Sequence, residues 1–180
     1  MKTKNMLFTG VGGQGTILTT KLISAALADK GYDVKMSEIH GMAQRGGTVN
    51  TQLRYGERVY APNICEGEAD YLIAFEQSEA LRALPYLRKG ASLFYDERKI
   101  YPVPVLLGVA EYPSGAMEAP SIRREYNVKA IPAYEIASRL GSARDANIVF
   151  LGALCKELDI EVRLPPKFNV RAYEAGKEAV

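Results

Sequence analysis

A chain of 180 residues with 47% hydrophobic side chains is long enough to bury one core and too short for two independent ones, so a single domain over residues 1–180 is expected. Its 23 basic and 21 acidic residues leave a formal charge of only +2, dispersed along the sequence, which argues against a nucleic-acid partner. No apolar run approaches membrane-spanning length, Cys65 and Cys155 are too few for an iron–sulfur cluster, and the lone His40 excludes a histidine-rich metal site, so a cytoplasmic, metal-free chain is expected.

Asn5 to Thr9 is a short apolar run that flows into glycines, and from Thr16 to Ala28 the residues Ile17, Leu18, Leu22, Ile23 and Ala26 recur at helical spacing. The pattern predicts strand, tight turn and helix. Gly31 ends the helix and Asp33 to Ser37 predicts a second strand, so a right-handed βαβ unit is expected and with it a partly parallel sheet. Residues 38–47 are polar and glycine-rich, the composition of a working loop. Alternation of Val49, Thr51, Leu53 and Tyr55 marks the next strand, and Gly56-Glu57 then predicts a hairpin with Arg58 to Ala61, which makes the sheet mixed.

Asp70 to Phe75 has the composition of a buried strand, followed by a helix from Ser78 to Leu87 and a strand from Ala91 to Tyr95. Residues 101–126, broken by prolines and glycines, predict an irregular insertion with one edge strand. A strand from Val128 to Ile131 and helices from Ala133 to Leu140, Ala146 to Leu158 and Phe168 to Val180 complete the pattern. The expected fold is a three-layer α/β/α Rossmann-like domain with a mixed, mainly parallel sheet.

Two loops carry chemistry. Gly10, Gly12, Gly13, Gln14 and Gly15 fit G-x-G-x-x-G between a predicted strand and helix, where glycines allow close backbone approach and the first helical amides point at an anion. The same glycines also serve simply to pack a helix tightly on its strand. A dinucleotide fold wants an acid at the end of the second strand, and Glu38, the nearest candidate, comes late and opens into a loop, which weakens a nicotinamide reading. In that loop Arg45 offers a planar donor fork, Gln44 and His40 neutral hydrogen bonds, and Gly46 and Gly47 backbone amides, together a grip for a phosphate or carboxylate. The plainer alternative pairs Arg45 with Glu38 or with an acid of a partner chain and leaves His40 to cap a turn. Glu76, Glu79 and Arg82 follow a strand end and are better explained by the dipole of a helix's first turn and an exposed pair, and Asn147 by an N-terminal cap or early-turn position.

Four ordered segments, FTGVGGQG, SEIHGMAQRGGTV, ADYLIAFEQSEALR and NIVFLGAL, together resemble the gamma domain of the 2-oxoacid:ferredoxin oxidoreductases over nearly the whole chain. The wording HGMAQRGG with FEQSEALR is most similar to the small subunit of the indolepyruvate type. The resemblance implies oxidative decarboxylation of a 2-oxoacid to an acyl-CoA, with electrons passed to ferredoxin. It implies that thiamine diphosphate and the iron–sulfur clusters reside in a large catalytic partner, because this chain lacks both the diphosphate signature and the cysteines. Coenzyme A at the interface, shaped by the glycine turn and the Arg45 loop, is the role expected of this chain, and Tyr55, Tyr60, Tyr71 and Tyr95 are candidate interface anchors. Alone, the orphaned interface is open to homodimerisation. Two alternatives remain at this point: a free-standing NAD- or FAD-binding oxidoreductase, and a non-catalytic nucleotide-binding assembly module.

Overall fold

The computed structural model of the chain describes residues 2–40 and 46–180, and for His40 the backbone alone. Strand β1 (Lys4–Val11) leads through the glycine turn into helix α1 (Thr16–Asp29), and strands β2 (Asp33–His40) and β3 (Thr48–Gly56) follow. Strand β4 (Ala69–Ala74), helix α2 (Gln77–Ala83) and strand β5 (Leu87–Asp96) come next. Two short helices, α3 (Val103–Leu106) and α4 (Pro120–Glu125), precede strand β6 (Asn127–Ile131) and helices α5 (Ala133–Arg139), α6 (Ala146–Leu158) and α7 (Val170–Glu178).

Six strands form one mixed sheet in the order β2-β3-β1-β4-β5-β6. The pairs β1/β4, β4/β5 and β5/β6 are parallel, whereas β3 is antiparallel to β1 and to β2. β2 therefore runs in the direction of β1, as expected of a βαβ unit, but β3 is inserted between them, in register with β1 from Lys4↔Tyr55 to Val11↔Thr48. That insertion corrects the expected hairpin. With both edges of β3 occupied, Arg58 to Ala61 has no ladder to join and runs as irregular chain. Side chains pin it instead: Val59 N donates to Asp33 Oδ2 at 2.8 Å and Arg54 Nη1 donates to the Ala61 carbonyl at 3.0 Å.

Alternation along the central strands feeds two cores. Met6 and Phe8 of β1, Ile73 of β4 and Phe94 of β5 pack with α1, α5, α6 and α7, while Leu7, Leu72, Leu93 and Tyr95 pack with α2 and Met117. Helix α6 is buried continuously from Asn147 to Cys155 because α7 covers its outer side. The contact is backbone to backbone: a Cβ on Gly152 would stand 2.0 Å from the Tyr173 carbonyl oxygen, and one on Gly176 1.9 Å from that of Val149.

Among the described residues the 101–126 insertion contains no strand, which corrects the expected edge strand. β5 already has β4 and β6 on its two sides, and the prolines that interrupt the segment start helices instead, with Pro102 and Pro104 at the head of α3 and Pro120 opening α4. No helix among the described residues is long and apolar enough to cross a membrane.

Candidate functional site

The turn between β1 and α1 is built around Gln14, whose side chain points into the fold. Its Oε1 accepts from Val11 N at 2.7 Å and its Nε2 donates to the Phe75 carbonyl at 2.5 Å, tying the end of β1 to the end of β4. Gly10 makes room for it, since a Cβ there would meet Gln14 Oε1 at 2.9 Å and Phe75 Cβ at 3.0 Å. Gly13 and Gly15 have φ of 102° and 83°, the left-handed region that favours glycine. A Cβ on Gly15 would also stand 2.5 Å from Asn147 Nδ2, so α6 presses directly on the start of α1.

The two glycine loops meet. Gly12 N donates to the Gly47 carbonyl at 2.8 Å and Gly46 N to the Gly12 carbonyl at 3.4 Å, so Gly46 and Gly47 flank the β1–α1 turn. Arg45 and Gln44, with residues 41–43, lie outside the described residues, as does the side chain of His40.

Beside the turn a cleft of about 570 Å³ is lined by Gly12, Gly13, Gly15, the first turn of α1, Lys21, Glu38 and Val49. Ile17 and Leu18, read from the sequence only as part of the helical spacing, border this cleft half-exposed; the buried face of α1 carries Thr16, Thr19, Thr20, Ile23, Ala26 and Leu27. Lys21 pairs with Glu38 at 3.2 Å, which occupies the one carboxylate that a ribose would use and places a cation next to the free amides of α1. Lys21 was not singled out from the sequence, where it is one of many helical lysines; only the return of β2 alongside α1 sets it in the cleft. The cleft can hold an anion through backbone amides and an ammonium group.

Glu76, Glu79 and Arg82 follow β4 on the other face. Glu76 is fully buried and caps α2, its Oε2 accepting from Ser78 N at 2.7 Å and Glu79 N at 3.0 Å. Its Oε1 accepts from Ile100 N at 3.1 Å and from the Tyr112 hydroxyl, so one carboxylate fastens the 97–112 segment to the helix. Burial and this carboxylate push the Tyr112 hydroxyl pKa well up. The Glu79–Arg82 pair forms at 2.9 Å, but Glu79 is only 4% exposed rather than at the surface, and burial raises its pKa. Asn147 sits in the first turn of α6, not at its cap, which is Asp145. Of the candidate anchors Tyr95 is in the core, Tyr55 and Tyr71 pack half-buried against it, and Tyr60 is 82% exposed. Cys65 is exposed, Cys155 is buried with its thiol pushed up to about 11, and no group of residues among those described is arranged to hold a metal ion.

Residues 5–179 match the family described as pyruvate ferredoxin/flavodoxin oxidoreductase. The chain belongs to that family. It is 38% identical over 196 residues to the indolepyruvate oxidoreductase subunit IorB of Pyrococcus horikoshii, covering 99% of this chain and 96% of the relative. Among solved structures of this fold, the keto/oxoacid ferredoxin oxidoreductase gamma subunit of Geobacter sulfurreducens superposes with a TM-score of 0.73 at 22% identity, over 99% of this chain and 97% of that one. The 2-oxoglutarate:ferredoxin oxidoreductase of Magnetococcus marinus, solved with 2-oxoglutarate, coenzyme A and succinyl-CoA, superposes with a TM-score of 0.76 at 23% identity, over 99% of this chain and 31% of the other. In that protein the same fold is one part of a longer polypeptide.

Proposed function

We propose that this chain is the small subunit of a 2-oxoacid:ferredoxin oxidoreductase of the indolepyruvate type, working with a large catalytic subunit and, through the complex, with ferredoxin. The observation that carries the reading is the match to IorB along 99% of this chain and 96% of that relative. The reaction is the oxidative decarboxylation of a 2-oxoacid to an acyl-CoA. Thiamine diphosphate and the iron–sulfur clusters supply its carbanion and electron chemistry from the partner, since one exposed thiol and one buried thiol held protonated do not make a cluster site.

This chain's own contribution is binding and orientation. The glycine turn, the α1 amides and Lys21 form an anion cleft, and coenzyme A, with its diphosphate, is the anionic substrate that the reaction consumes. Gly10 and Gln14 hold the turn in shape and Gly12 clamps it to Gly46 and Gly47; Arg45, the neighbour of Gly46 in sequence, is the residue assigned to complete the grip. Substituting Gly13→Val in the assembled complex tests this role. The expected result is a KM for coenzyme A raised about tenfold with the KM for the 2-oxoacid unchanged; an unchanged KM for coenzyme A in both Gly13→Val and Arg45→Ala overturns it.

A further inference from the structure

Residues 100–110 contain no charged side chain, yet most of them lie at the surface. Five of the ten exposed large hydrophobic side chains among the described residues fall between 101 and 109: Val103, Leu106, Leu107 and Val109 are 65% to 77% exposed, and Tyr101 is 49% exposed. Val103, Leu106 and Leu107 stand at i, i+3 and i+4 spacing along α3 and its C-cap, so they share one face of the turn. At that spacing an apolar trio ordinarily marks the buried side of a helix; here it marks the outward one.

The segment is held in place. Ile100 N donates to Glu76 Oε1 at 3.1 Å and the Tyr112 hydroxyl donates to the same oxygen, so one buried carboxylate ties down both ends. Between them Leu106 N donates to the Pro102 carbonyl at 3.1 Å, Leu107 N to that of Val103 at 2.9 Å and Val109 N to that of Pro104 at 2.9 Å, and the Tyr101 ring meets Tyr112 edge-on. A surface fixed in advance loses little conformational entropy when a partner settles on it. The exposed apolar face is on the order of 500 Å², the upper range of what a monomer leaves in water and over half of the about 800 Å² that one side of a stable interface buries.

Its position names the partner. On their inner side Pro102, Pro104, Val105 and Ala110 face Leu81 and Arg82 of α2 across a pocket of about 450 Å³. Arg82 Nη1 lies 2.9 Å from Glu79 Oε1 and 3.4 Å from Thr48 Oγ1, and Thr48 follows Gly47, whose carbonyl accepts from Gly12 N. The apolar segment therefore borders the end of the sheet that carries the glycine turn. On the proposed function the reacting groups arrive with the large subunit, which must come against this end; a second copy of this chain would bring none.

We propose that the outer face of residues 101–109 is the docking surface for the large catalytic subunit, which meets it with an apolar strip that receives Leu106 and Leu107. The assignment rests on the small-subunit reading for the identity of the partner and on the exposed face for its place.

Binding of the full chain to the large subunit tests this, with Leu106→Glu and Leu107→Glu made separately and together, and with Val170→Glu, 58% exposed at the head of α7, as the control. Each single substitution is expected to weaken binding at least about tenfold and the pair about a hundredfold, while Val170→Glu leaves it unchanged. Every variant alone is expected to keep the wild-type melting temperature, because the side chains changed are exposed. In the wild-type complex the amides of residues 105–110 are expected to exchange more slowly than in the free chain. Wild-type affinity in the double variant, an equal loss in Val170→Glu, or exchange over residues 105–110 unchanged by complex formation overturns the assignment and leaves the small-subunit reading standing. A wild-type chain that fails to bind the large subunit overturns both. A free chain that dimerises through this face, with the dimer lost and the complex kept in the double variant, assigns the face to a second copy and overturns the proposal as well.

Discussion

Gln14 joins β1 to the chain just past β4: its amide nitrogen donates to the carbonyl of Phe75, 61 residues away, while its oxygen accepts from Val11 N. The bond crosses the place in the sheet where the connections diverge, α1 leaving β1 for one face and α2 leaving β4 for the other, which is where open α/β sheets collect ligands. Gln14→Leu leaves both backbone groups without their partner and is expected to cost about 1–3 kcal/mol of stability. Urea unfolding of the full chain measures this, and in the assembled complex the same substitution should raise the KM for coenzyme A, because the turn that it shapes forms one wall of the cleft.

The α6–α7 contact should be intolerant of a single methyl group. A Cβ at Gly152 or Gly176 lands about 2 Å from a carbonyl oxygen of the facing helix, and backbone cannot move aside as a side-chain tip can. Gly152→Ala and Gly176→Ala are each expected to destabilise by at least about 1–3 kcal/mol. Thermal unfolding of the two variants checks this; a melting temperature equal to that of the wild type contradicts the packing described.

Glu76 should matter beyond its helix. It accepts from Ser78, Glu79, Ile100 and Tyr112, so Glu76→Gln loses charge-assisted bonds at the α2 cap and at the 97–112 segment together. The expected loss is on the order of 2 kcal/mol, accompanied by faster proteolysis within residues 97–112. Cleavage elsewhere first would contradict the fastening role.

Asp96 gives stability a defined pH dependence. Burial pushes its carboxyl pKa up to about 6 from an ordinary 3.8, against the opposing pull of the Arg98 and Tyr134 backbone amides. The native state therefore holds its proton more tightly than the unfolded chain does. This contribution is fully present below about pH 4, declines as the pH rises, and is gone above about pH 6, a difference on the order of 3 kcal/mol. Asp96→Asn should remove that decline, which denaturant unfolding at pH 4.5 and pH 7 measures. A parallel decline in wild type and variant would locate the titration elsewhere.

The turn from Gly10 to Gly15 was legible in the sequence because a strand, four glycines and a helix follow one another, and local rules govern all of it. The mixed sheet was legible as a class. The place of β3 was not, because alternation of Val49, Thr51, Leu53 and Tyr55 marks a strand without naming its partner, and its partner β1 lies some 40 residues earlier in sequence. The same limit applies to sites. Lys21 reaches the cleft only through the return of β2. Gln14, read as part of an anion loop, turns out to spend its side chain on the scaffold of that loop, which a motif cannot distinguish from a ligand contact.

The most direct measurement is indolepyruvate-dependent reduction of a viologen dye in the presence of coenzyme A, with the large subunit expressed alone and then with this chain. The account predicts turnover only when both chains are present, with this chain co-purifying in fixed ratio. A large subunit fully active on its own, or a stable complex inert toward every 2-oxoacid tried, would contradict it.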